Sequence, residues 1–356
     1  LEIVREYGDS ELPISDLVQE ANTALMLAAI EYDGSEPWNE LMTRRVKESV
    51  ELALEEADPG HWERLGVDDA CRERLVTLLR AKPRRTASGV ATITVLTKPW
   101  PCSSNCVYCP SDIRMPKSYL SDEPACQRAE RCWFDPFLQV CARLRALTAM
   151  GHVTDKVELI VLGGTWSDYP PSYQRWFIGE LFRALNLTDD ERAAEAEHRR
   201  LFYENLGLPR EREELARAYR DLQRRIDNGD ITYNAAWREA YGEGPHRLVA
   251  AAIEGSDPDS GRRGPARADN GRSVFPGAPQ PFSTDDIDGV HRANEQAACR
   301  CVGLVVETRP ELVDAPALAD LRRLGCTKAQ VGVQSLDPAV LAASGRGDAS
   351  TVDAVA

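Results

Sequence analysis

The stretch "GVATITVLTKPWPCSSNCVYCP", residues 89–110, decides the fold because it joins a β-branched run to three closely spaced cysteines. The run 89–99 is rich in Val, Ile and Thr and is closed by Pro99, which predicts a β-strand. Cys102, Cys106 and Cys109 follow at once in the spacing C-x3-C-x2-C. We therefore expect a loop of three thiols at the carboxyl end of a strand.

The composition favours metal binding over disulfide bonds for these thiols. The 356-residue chain has ten cysteines and no recognisable signal peptide, and a tight cluster in such a chain is typical of a metal site. No stretch approaches the roughly 20 apolar residues that span a bilayer. The sequence predicts no membrane contact and a reducing, cytoplasmic location.

Strands and helices alternate along the rest of the chain. Strands are predicted at 89–99, 156–164, 300–310 and 328–335, each followed by a helical pattern. This predicts an α/β fold with a parallel sheet, built as a partial (β/α) barrel with its sites at the carboxyl ends of the strands. A closed barrel needs more than four strands, so we expect this domain to be incomplete.

The domain organisation is predicted from changes in pattern. Residues 1–83 read as a small helical domain and residues 84–356 as the α/β domain. The alternation of strands and helices is interrupted at about residues 187–285. This region has a charged helical stretch followed by a segment rich in Gly, Pro and Ser, and we expect it to be a partly flexible insertion.

The spacing of the three cysteines bears on which metal they bind. A structural zinc site normally has four protein ligands, and no histidine lies close to this triplet. On a [4Fe-4S] cluster, three cysteines leave one iron open to a small molecule. The open iron suits a reaction centre, and a zinc loop remains the alternative.

Polar or Gly residues also end the other three strands. Gly163, Gly164 and Thr165 follow the second strand, where glycines allow close approach of a ligand, although a plain turn explains them equally. Glu307 ends the third strand as a candidate acceptor for ribose hydroxyls, with a surface pair to Arg309 as the alternative. Gln334 ends the fourth strand and is either a ligand contact or a cap for the next turn.

The triplet, with the aromatic Tyr108 just before its third cysteine, resembles the radical S-adenosylmethionine signature. The resemblance implies that Cys102, Cys106 and Cys109 hold a [4Fe-4S] cluster whose open iron chelates S-adenosylmethionine. Reduction of the cluster would then cleave the sulfonium and form a 5′-deoxyadenosyl radical. It also implies that the glycine stretch holds the amino group of S-adenosylmethionine.

Longer segments are similar to the catalytic subunit of Elongator in its bacterial form. They are "RRTASGVATITVLTKPWPC", "FDPFLQVCARLRALTAMGHVTDKVELIVLGGTW", "CVGLVVETRPELV" and "LGCTKAQVGVQSLD". The resemblance runs from about residue 84 to the end, apart from the insertion. It implies a tRNA-modifying enzyme that forms a carboxymethyl-type group at C5 of the wobble uridine from acetyl-CoA.

The same resemblance implies tRNA and acetyl-CoA as partners, with homo-oligomers or Elongator-type subunits as further partners. We recognise no acetyltransferase domain in the sequence and expect the acetyl-CoA site to lie outside this chain. Two alternatives stay open: a radical S-adenosylmethionine enzyme acting on a small molecule, and a non-catalytic, metal-stabilised RNA-binding scaffold.

Charge indicates where nucleic acid would bind. The net charge is −14, but residues 1–60 hold 15 acidic and four basic side chains and so carry most of it. A local basic stretch is either a solvated linker or a phosphate-binding patch, and we take it as the candidate tRNA contact: Arg80, Lys82, Arg84 and Arg85. The helical domain of residues 1–83 is a further candidate for tRNA contact. Lys98, Lys117 and Lys156 are predicted to be ordinary surface lysines, with a substrate contact as the alternative.

Overall fold

The computed structural model describes residues 86–254 and 278–346. The predicted helical domain of residues 1–83, the four basic residues at 80–85 and most of the Gly- and Pro-rich segment lie outside the described residues. Of two compact units into which the chain divides, one contains the described residues 89–145, 154–254 and 278–346, and with them the whole sheet.

The sheet has four parallel strands in the order of the sequence. They are β1 (Ala91–Leu96), β2 (Lys156–Leu162), β3 (Arg300–Thr308) and β4 (Lys328–Val331). All three neighbouring pairs are parallel. Sequential parallel order is the order of strands in a (β/α) barrel, and it has no reversal of the kind found in doubly wound sheets. The predicted parallel α/β class is confirmed.

Helices connect the strands and flank them. In chain order the helices are α1 (Pro124–Arg131), α2 (Pro136–Ala149), α3 (Pro171–Asn186), α4 (Asp189–Asn205), α5 (Arg212–Ala218), α6 (Arg220–Asp227), α7 (Tyr233–Tyr241), α8 (Pro245–Glu254), α9 (Thr284–Asn294), α10 (Ala315–Arg323) and α11 (Pro338–Ala343). No helix within the described ranges is long and apolar enough to cross a bilayer.

Alternating side chains of β1 and β2 form part of the buried core. Ile93, Val95, Leu159 and Val161 are buried at every second position of β1 and β2, as a strand with one covered face requires. The strand β4 differs, since all four of its residues are exposed.

The described part of the predicted insertion is largely helical. It contains α4 to α8, and α4 begins with a capping box in which Thr188 and Glu191 each bond the other's main chain. Arg199 anchors α4 in the interior through buried ion pairs to Asp135, at 3.2 Å, and to Glu180, at 2.6 Å. The insertion is therefore tied to the α/β domain by paired buried charges.

Candidate functional site

The carboxyl ends of the four strands surround one cavity of about 270 Å³. All nine residues predicted for the cluster and the cofactor line it: Cys102, Cys106, Cys109, Tyr108, Gly163, Gly164, Thr165, Glu307 and Gln334. Parallel strands bring residues that are far apart in sequence to the same edge of a sheet. The cysteine loop follows β1, the glycines follow β2, Glu307 lies in β3 and Gln334 follows β4.

Each of the three thiols contacts a hydroxyl. The sulfur of Cys102 lies 3.7 Å from Thr165 Oγ1, that of Cys106 lies 3.3 Å from Ser104 Oγ, and that of Cys109 lies 3.0 Å from Ser118 Oγ. No group of three or more Cys, His, Asp or Glu side chains in the described residues is arranged to hold a single metal ion. The metal site at these cysteines therefore stays a prediction.

The surroundings of Cys106 favour its thiolate. Burial by itself raises the pKa of this thiol, but hydrogen bonds from Ser104 and Tyr108 and the charges of Arg346 and Arg309 outweigh burial and lower the pKa below its usual value. The thiolate is the form that ligates metal. Burial raises the pKa of Cys109, and the hydrogen bond with Ser118 opposes that rise only in part.

Two arginines and one glutamate surround the cysteine loop. Arg309 donates to Ser103 Oγ at 3.3 Å and forms an ion pair with Glu311. Arg346 reaches Tyr108 Oη at 3.4 Å and lies 3.9 Å from Glu311. Glu311 thus links two guanidinium groups that contact the loop on both sides of Cys106. The alternative of a Glu307–Arg309 pair is wrong, because Arg309 pairs with Glu311.

The glycine stretch after β2 is shaped by close contact with β1. Gly163 has a φ of +154°, and a Cβ at this position would overlap Oγ1 of Thr97, which is buried. Gly164 has room for a Cβ, whose nearest neighbour would be Tyr169 Oη at 3.7 Å. Backbone without side chains therefore forms this wall of the cavity, which allows a ligand to approach closely.

Glu307 and Gln334 form the wall on the side of β3 and β4. Glu307 accepts a hydrogen bond from Tyr119 Oη at 3.2 Å. Burial raises the pKa of Glu307, and the hydrogen bond from Tyr119 opposes this rise. Gln334 has a φ of +68°, which is uncommon for a residue with a side chain and tends to occur at functional sites.

The cavity contains basic residues that the sequence did not reveal as site residues. Lys117 was predicted to be a surface lysine, but it is 6% exposed, lines the cavity and donates to Ser111 Oγ at 2.7 Å. Arg346 is 5% exposed and also lines the cavity. The only sequence signal for Lys117 is its position eight residues after Cys109. Arg346 lies 237 residues after that cysteine, and only the fold brings them together.

Anionic groups fit this cavity. Three basic side chains line it, those of Lys117, Arg309 and Arg346. Opposite charges attract, so this basic lining favours a ligand with negatively charged groups. The predicted tRNA contact at Arg80, Lys82, Arg84 and Arg85 lies outside the described residues.

The fold and the site together define a parallel α/β protein with a thiol-lined ligand cavity at the carboxyl ends of its strands. No family model matches the chain. Among curated proteins, a tRNA uridine(34) acetyltransferase of Dehalococcoides mccartyi is 47% identical over 105 residues, which are 30% of this chain and 23% of that protein. One of the same name from Methanocaldococcus infernus is 41% identical over 35% of this chain and 24% of its own length.

A longer alignment reaches a eukaryotic relative. Elongator complex protein 3 of Schizosaccharomyces pombe is 28% identical over 81% of this chain and 37% of its own length. The chain is thus related to Elongator complex protein 3 and to the tRNA uridine(34) acetyltransferases, which confirms the resemblance predicted from its sequence. It spans only 23–37% of the length of these three relatives.

A solved structure is also similar to this chain. It is the archaeal Elp3 of Methanocaldococcus infernus with an N-terminal deletion, matched at 20% identity and a TM-score of 0.37 over 75% of this chain and 33% of that one.

Proposed function

We propose that this chain is the radical S-adenosylmethionine part of an enzyme that modifies the wobble uridine of tRNA. One observation carries the proposal: the nine residues chosen from sequence, which come from four separate strand ends, line one cavity. The relatives named tRNA uridine(34) acetyltransferase support tRNA as the substrate. The carboxymethyl-type product and acetyl-CoA as co-substrate belong to the same proposal.

The donor set fits a [4Fe-4S] cluster and S-adenosylmethionine. Cys102, Cys106 and Cys109 would hold the cluster and leave one iron for the cofactor, and the bound cluster would supply the electron that cleaves the sulfonium. The lowered pKa of Cys106 favours the thiolate that ligation needs. The guanidinium groups of Arg309 and Arg346 line the cavity and would attract anionic groups of a ligand.

The remaining walls would hold the cofactor in place. Gly163 and Gly164 present main chain to the cavity, where main-chain oxygens accept from an amino group. Glu307 lies where a carboxylate can accept from ribose hydroxyls, and Tyr119 Oη fixes its orientation at 3.2 Å. Lys117 adds a buried positive charge that attracts anionic ligands.

Two assays on the same preparation test the proposal. The anaerobically reconstituted chain should bind tRNA in a gel shift, with affinity that falls steeply as salt is added. With S-adenosylmethionine and a reductant it should release 5′-deoxyadenosine. Cys106→Ala should abolish the second signal and largely spare the first. The matched control is Cys141→Ala, which removes a buried thiol of α2 that is not among the residues lining the cavity.

The outcomes separate the competing functions. Cofactor cleavage without tRNA binding would indicate a radical enzyme with a small-molecule substrate. One zinc per chain, no iron after anaerobic preparation and no cleavage would indicate a metal-stabilised scaffold and overturn the proposal.

A further inference from the structure

The helices of the predicted insertion hold the main chain of the cysteine loop. Helices α6 and α7, named here the clamp helices, bond the segment 99–115 through side chains. The contacts to main-chain atoms are Gln223 Oε1 with Ile113 N at 2.9 Å, Gln223 Nε2 with Ser111 O at 3.0 Å, Tyr233 Oη with Met115 O at 2.6 Å, Tyr241 Oη with Ile113 O at 2.9 Å and Trp237 Nε1 with Pro99 O at 2.9 Å. These contacts join residues more than 100 positions apart, so the clamp is a tertiary feature.

The contact at the first cysteine is the most specific. The N–H of Cys102 donates to Asn234 Oδ1 at 3.1 Å, and Asn234 Nδ2 donates to the carbonyl of Cys102 at 2.9 Å. One amide side chain therefore satisfies both main-chain polar groups of the residue. Two hydrogen bonds to one residue fix its peptide planes, and the direction of its Cα–Cβ bond follows from them.

The neighbours of Asn234 on α7 pack against the segment that carries the loop, because Tyr233 is buried in one cluster with Ile113 and Trp237 packs against that cluster. Tyr233 is 3% exposed, and Trp237 lies one helical turn beyond it. The ring of Trp237 contacts that of Trp100 edge-on, with centroids 4.9 Å apart. Trp100 in turn donates from Nε1 to Asp168 O at 2.9 Å. The clamp helices and the turn after β2 thus hold the start of the loop from two directions.

We propose that Asn234 is a positioning residue for the metal site, orienting the thiolate of Cys102 through its main chain. The inference rests on the proposed function, because the site it serves is the cluster held by the three cysteines. It gives the insertion a specific role, since the clamp helices set the spacing of the thiols before a cluster enters. Cluster retention is then coupled to the integrity of α6 and α7.

The physical reason is that three thiolates must point to one cluster at the same time. Without the Asn234 side chain, the N–H and the carbonyl of Cys102 would form hydrogen bonds with water instead. The Cα–Cβ bond of Cys102 would then no longer be held in one direction. Removing a partner that orients a metal ligand typically costs about 10- to 100-fold in metal affinity. Asn234→Ala should therefore lose its iron faster than the unchanged chain by a factor in this range.

The experiment compares Asn234→Ala and Asn234→Asp with the unchanged full chain. Each is reconstituted anaerobically with iron and sulfide, and iron release to a ferrous chelator is followed together with the EPR spectrum of the reduced protein. Asn234→Asp keeps the acceptor for Cys102 N–H and loses the donor to its carbonyl, so its release rate should be intermediate. Asn228→Ala, at an exposed residue beyond the end of α6, is the matched control and should behave as the unchanged chain.

A measurement on metal-free protein tests the clamp without the cluster. Hydrogen exchange of the peptide covering residues 102–109 should be about fivefold or more faster in Asn234→Ala, which corresponds to the loss of one hydrogen bond of about 1 kcal/mol. Trp237→Phe, which removes the donor to Pro99 and keeps an aromatic ring, should also speed this exchange. This arm gives a result even if a variant takes up no iron.

The failures of the two proposals are distinguishable. If the unchanged chain takes up no iron, the proposed function fails, and the exchange data still test the clamp. If the unchanged chain binds iron and Asn234→Ala, folded by circular dichroism, shows the same release rate, EPR spectrum and exchange, then Asn234 does not position the loop. If Asn234→Ala does not fold, Asn234→Asp decides: unchanged release and exchange there overturn the inference.

Discussion

A methyl group added at Gly163 probes the junction between β1 and β2 on which the cavity depends. The Cβ of Gly163→Ala would overlap Thr97 Oγ1 and lie 3.1 Å from Thr97 Cβ. Thr97 cannot move away freely, because it is 1% exposed and its hydroxyl lies 2.7 Å from Tyr169 Oη. Tyr169 donates in turn to Lys98 O at 2.8 Å. The added methyl therefore pushes against the residues that lead into the cysteine loop.

Two contributions to the loss of stability add in Gly163→Ala. Forcing an extra methyl into a packed interior costs about 1–3 kcal/mol. Holding Ala in a conformation that L-residues rarely adopt, at φ of +154°, costs about 1–3 kcal/mol more. Gly163→Ala should thus lower the free energy of unfolding by roughly 2–6 kcal/mol.

Urea denaturation followed by circular dichroism measures this loss, and Gly164→Ala is the adjacent control. A Cβ at Gly164 meets only Tyr169 Oη, at 3.7 Å, so the change in unfolding free energy should stay below about 1 kcal/mol. The double variant Gly163→Ala/Thr97→Ala removes the overlapping oxygen and should be less destabilised than the sum of its single changes by about 1 kcal/mol or more. Equal effects of the two glycine variants would show that the overlap with Thr97 has no energetic weight.

Two further predictions concern buried polar groups near the sheet. Gln139→Leu should lower the unfolding free energy by about 2–6 kcal/mol, measured in urea, because it leaves both the N–H and the carbonyl of Leu96 unpaired in the interior. Burial lowers the pKa of His246 to about 4, and the charge of Lys98 adds to the effect. Between about pH 6.5 and pH 4 the imidazole of His246 is therefore protonated in the unfolded chain and neutral in the folded one. As pH falls through that window, this difference should lower the free energy of unfolding by roughly 3 kcal/mol. The measurement is urea denaturation at several pH values, compared with His246→Gln.

Each of these predictions has a control and a contradicting result. Gln127→Leu removes a hydrogen bond to Asp122 O that is exposed, so it should change stability little. If Gln139→Leu were as stable as Gln127→Leu, the pairing with Leu96 would contribute nothing to stability. If His246→Gln and the unchanged chain lost stability in parallel on acidification, His246 would not be the group that titrates.

The strands and the site edge could be predicted because their signals are local. A β-branched run of Val, Ile and Thr closed by Pro99 predicts β1, and apolar runs predict β2 and β3, so the predicted boundaries lie within a few residues of those in the structure. Parallel topology then places every strand's carboxyl end on one edge. That rule alone brings Gly163, Glu307 and Gln334 to the cysteine loop.

What could not be predicted depends on contacts between distant segments. The pairing of Asn234 with Cys102 joins residues 132 positions apart, and nothing in the local sequence of a charged insertion marks it. From the sequence alone Lys117 was predicted to be a surface lysine. In the structure it contacts Ser111 and the ring of Tyr233. No sequence motif marks Arg346 as a site residue. Its contacts with Tyr108 and Glu311 in the structure place it at the cysteine loop.

The central claim is that three thiolates hold a cluster with one open iron. The measurement that tests it is the EPR spectrum of the anaerobically reconstituted, reduced chain, recorded with and without S-adenosylmethionine. Iron analysis of the same sample gives the number of irons per chain. We expect about four irons per chain and a spectrum that changes when the cofactor is added, with both signals lost in Cys106→Ala. An iron-loaded chain whose spectrum ignores the cofactor, or a metal held by four protein donors, would contradict an open iron at this site.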